Sequence, residues 1–383
     1  MANAIVLGAG MVGSVMAADL ADDPNFRVTV ADIRPGALEL AAQRTRGHAA
    51  TLLVDLADPE AIQRAVAPFD IVLGALSSHL GLGALRAVIA ARKPYCDISF
   101  MAEDAIDLSA EAERAGVTAI VDCGVAPGMS NLLAGYATRL LDPCESIEIY
   151  VGGLPVERRW PYEYKAGFSP ADVLEEYTRP SRIVEHGQIV VRPALSEPEL
   201  MDLPGVGTLE AFNTDGLRSI ATTLKIPFMK EKTLRYPGHI ALMRAFRETG
   251  LFSKEPITVN GQRVVPLDVT SALMFPKWKY ETGERDLTVM RVSATGKKGG
   301  VSTRLTWDVL DFLDPRTGFT SMSRTTAFPC TILARLVLEG AIAKKGVLPP
   351  ELFAERSIVE RIFAEHAKRG IHYRETVTEE RPA

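Results

Sequence analysis

From Ala4 to about Val121 the chain alternates two textures. Short apolar runs (AIVLG, RVTVAD, TLLVD, DIVLGAL, YCDIS and VTAIVD) are separated by longer stretches with helical periodicity, such as Asp58 to Ala67 and Leu80 to Ala91. Runs that are apolar throughout predict strands covered on both faces, and parallel strands need crossovers long enough to hold a helix. A doubly wound parallel α/β sheet satisfies both conditions. Sheets of this kind bind ligands beyond the carboxyl ends of their strands, where the strand order reverses.

Gly8-Ala9-Gly10-Met11-Val12-Gly13 follows the first strand directly and opens the first helix. Gly8 suits a tight turn, Gly10 a close approach to a pyrophosphate, and Gly13 close packing of helix on sheet. The phosphates are expected at the helix N-terminus, where free N–H groups favour negative charge. Asp32 ends the second run, about twenty residues past Gly13, where a carboxylate accepts from the adenosine ribose. These residues predict a Rossmann dinucleotide site. Asp32 favours NAD, while Arg34 leaves NADP as the alternative. Asp55 is expected near the adenine edge or as a helix cap. GALSSHLG, with Ala75 and Leu76, and VDCGVAPGMSN, with Gly124, both follow strands and are aimed at the same crevice. The glycines of the second stretch would let the main chain pass the nicotinamide end, or serve a plain inter-domain turn.

After Leu140 the grammar becomes antiparallel. ESIEIYVGGLP reads as a strand, IVEHGQIVVR as a hairpin turning at His186-Gly187, and ITVNGQRVVPL as a hairpin at Asn260-Gly261. LTVMRVSATGKKGGVSTRLTWDVLD is a further pair of strands, and two helical stretches follow: FPCTILARLVLEGAIAKKG and PPELFAERSIVERIFAEHAKRG. The tail ETVTEERPA is polar and is expected to fray. The boundaries predicted are 1–124 for a dinucleotide-binding domain, 125–326 for an α+β domain, and 327–383 for closing helices that must bury an apolar face against the rest of the chain.

Several function classes are disfavoured. A formal net charge of −5 offers no footprint for nucleic acid or anionic membrane. The four cysteines form no CxxC pair and the six histidines no HExxH, so no structural metal is expected and a reducing, cytoplasmic setting is. No stretch is apolar for long enough to span a membrane, and the first apolar segment, interrupted by glycines, does not read as a signal peptide.

The chemistry-bearing residues of the second half cluster in RRWPYEYKAGFS and TLRYPGH. Arg235 is placed to grip a carboxylate, and Tyr164 belongs to an aromatic and cationic pocket rim. His239, a proton carrier near neutral pH, and Asp97, ending the YCDIS strand, are the candidate catalytic groups. Asp122 is expected near the nicotinamide, as a proton handler or as a turn-former. Thr325 and Thr326 are expected to touch substrate.

Taken together, GAGMVG with Asp32, VDCGVAPGMSN, YVGGLP, EAFNTDG, LRYPGH, RTTAFP and KKGVLPPE make the chain resemble the saccharopine dehydrogenase-like oxidoreductases, most closely the L-lysine 6-dehydrogenases. The resemblance implies NAD-linked oxidation of an amine carbon, with the lysine ε-amine as substrate, a second domain over 125–326 that carries substrate binding and dimerisation, C-terminal helices over 327–383 that return to the first domain, and a homodimer. Where that group carries Glu-Tyr-Asn-His, this chain has Glu163-Tyr164-Lys165-Ala166. A cation at Lys165 raises the alternative of a carboxylate-bearing secondary amine, such as saccharopine or a carboxyalkyl polyamine. A dinucleotide sensor without turnover is the remaining reading.

Overall fold

The computed structural model describes residues 1–380. Its first half contains β1 (Ala2–Leu7), α1 (Gly13–Ala21), β2 (Phe26–Asp32), α2 (Pro35–Arg44), β3 (Ala49–Leu53), α3 (Pro59–Val66), β4 (Ile71–Gly74), α4 (Ser78–Ala90), β5 (Tyr95–Asp97), α5 (Ser109–Ala115) and β6 (Thr118–Ile120). The strands run parallel in the order β6-β5-β4-β1-β2-β3. Along β1, Ala4 and Val6 enter one apolar cluster while Ile5 and Leu7 enter another. Both faces of the strand are therefore buried, which is why AIVLG shows no polar alternation. β1 lies between β2 and β4, so the reversal falls at the ends of β1 and β4, where the chain supplies Gly8–Gly13 and Ala75–Ser77.

The second half begins with α6 (Met129–Leu140), which carries the chain into β7 (Cys144–Pro155). There follow α7 (Pro170–Thr178), β8 (Ser181–Glu185), β9 (Gln188–Arg192), β10 (Glu199–Leu203), β11 (Gly207–Asn213), α8 (Ile220–Thr223), β12 (Phe228–Arg235), α9 (His239–Glu248), β13 (Ile257–Val259), β14 (Gln262–Val264), α10 (Pro266–Trp278), β15 (Asp286–Lys298) and β16 (Val301–Phe312). The order β10-β11-β12-β7-β15-β16 gives a mixed sheet, parallel only where β12 meets β7. The expected hairpins form: β8–β9 turns at His186 and Gly187, and β13–β14 at Asn260 and Gly261, all four with positive φ.

The C-terminal part, α11 (Ser321–Leu338), β17 (Gly346–Leu348), α12 (Arg356–Lys368) and β18 (Arg374–Glu380), serves both sheets. α11 packs against α1, β4 and β5 on one side and β15 on the other. β17 pairs in parallel with β6 and makes the first sheet seven-stranded, while β18 pairs with β16 at the edge of the second. The helical return expected from the sequence is present, but it starts at Ser321 and brings two strands with it. The tail expected to fray is ordered in β18 over residues 374–380, tied down by the β16 ladder and by Trp307 Nε1 donating to Glu375; residues 381–383 lie outside the described residues. Among the described residues no helix is long and apolar enough to cross a membrane.

Candidate functional site

One cleft of about 1080 Å³ runs from the glycine loop of the first domain to the sheet of the second. At its first end, the three glycines do different work. A Cβ on Gly8, whose φ is +104°, would lie 2.4 Å from the Ala75 carbonyl oxygen, and one on Gly13 would lie 1.9 Å from the Gly8 oxygen. Those two are dictated by packing. A Cβ on Gly10 would meet nothing within 4 Å, so packing does not require glycine there, whereas a ligand approaching the backbone does. Met11 and Val12 line the cleft beside it, before α1 begins, whereas Ser14 N and Val15 N already donate to the Gly10 and Val12 carbonyls, so the turn from Gly10 to Gly13 is the backbone offered to a phosphate. These residues fit a dinucleotide pyrophosphate.

Asp32 is buried at the same end. Its Oδ2 accepts from Ala9 N at 2.8 Å, and its Oδ1 from Arg34 N at 2.8 Å and Arg34 Nε at 3.1 Å. Burial would raise this carboxyl, but the Arg34 side chain and the two backbone amides hold it below the ordinary aspartate range. Asp55, also on the cleft, accepts from Ala57 N at 2.9 Å in a local turn, while Asp58 is the residue that caps α3. Ala75, Leu76 and Gly124 line the cleft. Gly128, at φ +146°, is needed because a Cβ there would lie 1.9 Å from the Gly124 oxygen; the loop folds back on itself before α6. Packing thus accounts for Gly128, and Gly124 is the glycine of this loop that faces the cleft.

At the other end the wall is β12. Glu231, Thr233 and Arg235 stand at alternate positions and all face the cleft, while Lys230 and Lys232 point the other way to Glu148 and Glu199. Arg235 Nε donates to Tyr177 Oη at 3.0 Å, and its Nη2 pairs with Glu176 at 2.5 Å. Tyr177 Oη lies 2.9 Å from His239 Nε2, and His239 Nδ1 lies 2.8 Å from the Tyr162 carbonyl oxygen. The carbonyl only accepts, so Nδ1 carries the proton and Nε2 accepts from Tyr177. Burial, and then the positive charge of Arg235, push His239 down to about 3. It is a neutral strut behind Arg235 that does not line the cleft, which corrects its expected role as a proton carrier.

Other expectations also change. Asp97 is fully buried and does not line the cleft: its Oδ1 accepts from Ser99 N and Oγ, and a Cβ on Gly74 would lie 2.2 Å from it. Burial pushes it up to about 7, but β4 seals it from the crevice it was expected to face. Tyr164 lies under the Arg235 guanidinium, 4.4 Å from the ring centre, and does not reach the cleft. Thr325 turns to the Ser321 carbonyl at 2.9 Å, whereas Thr326 does line the cleft. Asp122 faces Arg218 at 3.7 Å in a small separate cavity. Lys165 is committed to Glu284 at 2.6 Å and to the Lys279 carbonyl, so it says nothing about substrate charge.

Two cleft residues were not singled out from the sequence. Arg179, at the end of α7, stacks on Phe100 at 4.9 Å, pairs loosely with Glu175 at 3.5 Å, and leaves a buried Nη1 without a partner. Glu231 is 3% exposed and accepts from the Thr214 hydroxyl, which lies 2.9 Å from that of Thr233. The signal for Glu231 was present: stepping back by twos along the strand from Arg235 reaches it. Ser78 at the start of α4 donates to Asp172 on α7 at 2.7 Å and so joins the two domains across the cleft. Among the described residues no group of His, Cys, Asp and Glu is arranged to hold a metal ion.

Residues 4–120 match the sequence model of the saccharopine dehydrogenase NADP binding domain, and residues 124–371 that of the saccharopine dehydrogenase C-terminal domain. The mitochondrial alpha-aminoadipic semialdehyde synthase of Bos taurus is 25% identical over 96% of this chain and 47% of its own length. The chain thus spans about half the length of this relative and of its Mus musculus counterpart. The saccharopine dehydrogenase [NADP(+), L-glutamate-forming] of Schizosaccharomyces pombe is 23% identical over 86% of this chain and 89% of its own. The carboxynorspermidine synthase of Vibrio alginolyticus is 25% identical over 75% and 74%. Among solved structures, apo saccharopine dehydrogenase (L-Glu forming) from Saccharomyces cerevisiae superposes with a TM-score of 0.81 at 19% identity, covering 99% of this chain and 100% of that one. That likeness establishes a shared fold.

Proposed function

The chain belongs to the saccharopine dehydrogenase family, and from that premise we propose that it is an NAD(P)-dependent dehydrogenase of a carboxylate-bearing secondary amine, of the saccharopine or carboxynorspermidine kind. The observation that carries this reading is Arg179. Arg179 lines a cleft that begins at a dinucleotide loop, and its buried Nη1, without a partner among the described residues, is costly unless a small turn of the side chain brings it to a ligand. A substrate carboxylate does so, and Arg235, whose three nitrogens each make one bond, to Tyr177, Leu234 and Glu176, lines the same cleft with N–H groups left over for a second. Glu175 and Glu176 are taken up by Arg179, Lys254 and Arg235, and Glu231, which has no ion pair among the described residues, is the cleft carboxyl that suits a nitrogen of the same molecule. The names of the relatives support a secondary amine with carboxylates better than the lysine ε-amine that the sequence resemblance favoured.

When bound, the dinucleotide supplies a hydride acceptor. The residues of the chain do the rest. The turn from Gly10 to Gly13 and Asp32 hold the cofactor, and Arg179 and Arg235 fix the carboxylates so that the C–H next to nitrogen is presented in one orientation. Phe100 and residues of α7 line the same cleft, with Arg179 stacked on the Phe100 ring.

The test is to follow NADH and NADPH formation with saccharopine, carboxynorspermidine, L-lysine and L-ornithine. Saccharopine or carboxynorspermidine is expected to exceed lysine in kcat/KM by about 10- to 100-fold, the worth of one charge-paired carboxylate. A preference for lysine overturns the proposal.

A further inference from the structure

Two carboxyls at the substrate end of the cleft, Asp172 and Glu231, have no ion pair among the described residues, and they differ in what holds them. At the substrate end Glu176 is paired with Arg235, Asp215 is gripped at both oxygens by Arg182, Glu175 is shared by Arg179 and Lys254, and Asp172 accepts from Ser78. Glu231 forms no ion pair among the described residues and is held by the hydroxyl of Thr214 and the backbone of Gly216. Its position is nonetheless built. β12 turns it inward between Thr233 and the cleft floor, and Gly216 makes room behind it, since a Cβ there would lie 2.4 Å from the Glu231 Cδ. A buried carboxyl with neither water nor a counter-charge is unfavourable as an anion until a cation arrives.

Building on the amine-dehydrogenase reading, we infer that Glu231 is the proton acceptor of the reaction, taking the proton of the substrate nitrogen while Thr214 and Thr233 hold its carboxyl in place. The bound ammonium loses one N–H proton to a Glu231 oxygen. The freed lone pair forms C=N as the C–H electron pair leaves as hydride to the oxidised dinucleotide. One water then adds to that carbon and the C–N bond breaks, giving a carbonyl and a primary ammonium, and Glu231 releases its proton to solvent. One proton and one reduced dinucleotide are produced for each amine and water consumed.

The neighbours agree with this role. Burial first, then the negative charges of Glu176 on α7 and Asp215 in the loop before α8, push Glu231 up to about 8, against the hydrogen bonds of Thr214 and Gly216. The other charged groups around it are Arg235 on its own strand and Arg182, which is occupied by Asp215. The free enzyme therefore keeps Glu231 protonated at neutral pH, and amine oxidation gains its base as the pH rises.

Glu231→Gln preserves size and removes the acceptor. It is expected to lower kcat/KM for amine oxidation by about 100-fold or more and to abolish its rise between about pH 7 and 9. Glu231→Asp is expected to recover part of the rate. Binding of NADPH and NADH, followed by fluorescence, should be unchanged in both variants and reports an intact fold. Difference infrared spectroscopy of the cofactor-free protein supplies a readout apart from turnover: a protonated-carboxyl band that titrates near pH 8 and is missing from Glu231→Gln. Wild-type turnover with undiminished activity and pH profile in Glu231→Gln overturns the assignment alone. A wild type that oxidises none of the amines overturns the functional reading and the assignment with it.

Discussion

At Asp32 both carboxylate oxygens are already doubly engaged: Oδ1 by Arg34 N and Nε, Oδ2 by Ala9 N and Arg34 Nη2. A ribose diol can donate to this carboxylate only if the Arg34 side chain swings aside. Being 66% exposed, that side chain moves at little cost. A 2′-phosphate meets the opposite balance, repelled by Asp32 and attracted by a guanidinium standing at the site. Arg34→Ala is therefore expected to weaken NADPH binding about 10-fold, the worth of a charge-assisted hydrogen bond, and to leave NADH binding unchanged or tighter. Isothermal titration with both coenzymes decides it; equal losses would remove Arg34 from cofactor choice. The glycines and Asp32 were legible in the sequence because their requirements are local to one turn. His239 and Asp97 were misread because whether a polar side chain ends in a cleft or under a sheet depends on partners far along the chain. Glu231 was legible in principle, through strand alternation, once Arg235 had been placed.

Among the elements, hairpins announced themselves through the Asn-Gly and His-Gly turns, whereas β17 and β18 did not. β17 is three residues long, and its partner β6 lies more than two hundred residues earlier. β18, RETVTEE, shows no apolar face because it covers a sheet edge and not a core. The α12–β18 unit holds a consequence that the sequence does not suggest. His366 is fully buried, both ring nitrogens lack partners among the described residues, and the Tyr373 ring lies 5.5 Å away. Burial, and then the charge of Arg369, push it down to about 3. Folding thus keeps this imidazole neutral, while the unfolded chain protonates it below about 6.5. Its contribution is whole above that value and is lost as pH falls toward the folded pKa, at about 1.4 kcal/mol per unit. In urea unfolding from pH 6 to 5, His366→Phe is expected to gain on wild type at about that slope. Parallel curves for the two proteins would mean that the ring is solvated or protonated in the fold.

At the scale of the whole molecule, the first helix is fastened to the last two. Asp19 on α1 accepts from Thr331 and Arg335 of α11 at 2.6 and 2.8 Å and from Arg369, just beyond α12, at 2.6 Å. The Arg335 and Arg369 side chains are only 14% and 15% exposed. Burial raises the Asp19 carboxyl, but the two guanidinium groups outweigh it and hold the group below the ordinary range. Nothing in DLADD or in LARLVLEG marks these residues as partners; the family resemblance, not local pattern, indicated that the C-terminal helices return. The consequence is that residues 1–124 are not self-sufficient, because the sheet needs β17 and the outer face of α1 needs α11. Asp19→Ala leaves Arg335 to Asp23 and Arg369 to Glu365 while removing the acceptor they share, and is expected to cost about 1.5–3 kcal/mol in chemical denaturation, the worth of a hydrogen bond to a charged group. Replacing Asp19, Arg335 and Arg369 together by apolar residues of similar size should recover most of that loss, because the desolvation penalty disappears with the charges. A single substitution that shifts stability by less than about 0.5 kcal/mol, the range of an ordinary surface change, would show that the return of the C-terminal segment is held by α11 packing and β17 pairing and not by this ionic hub.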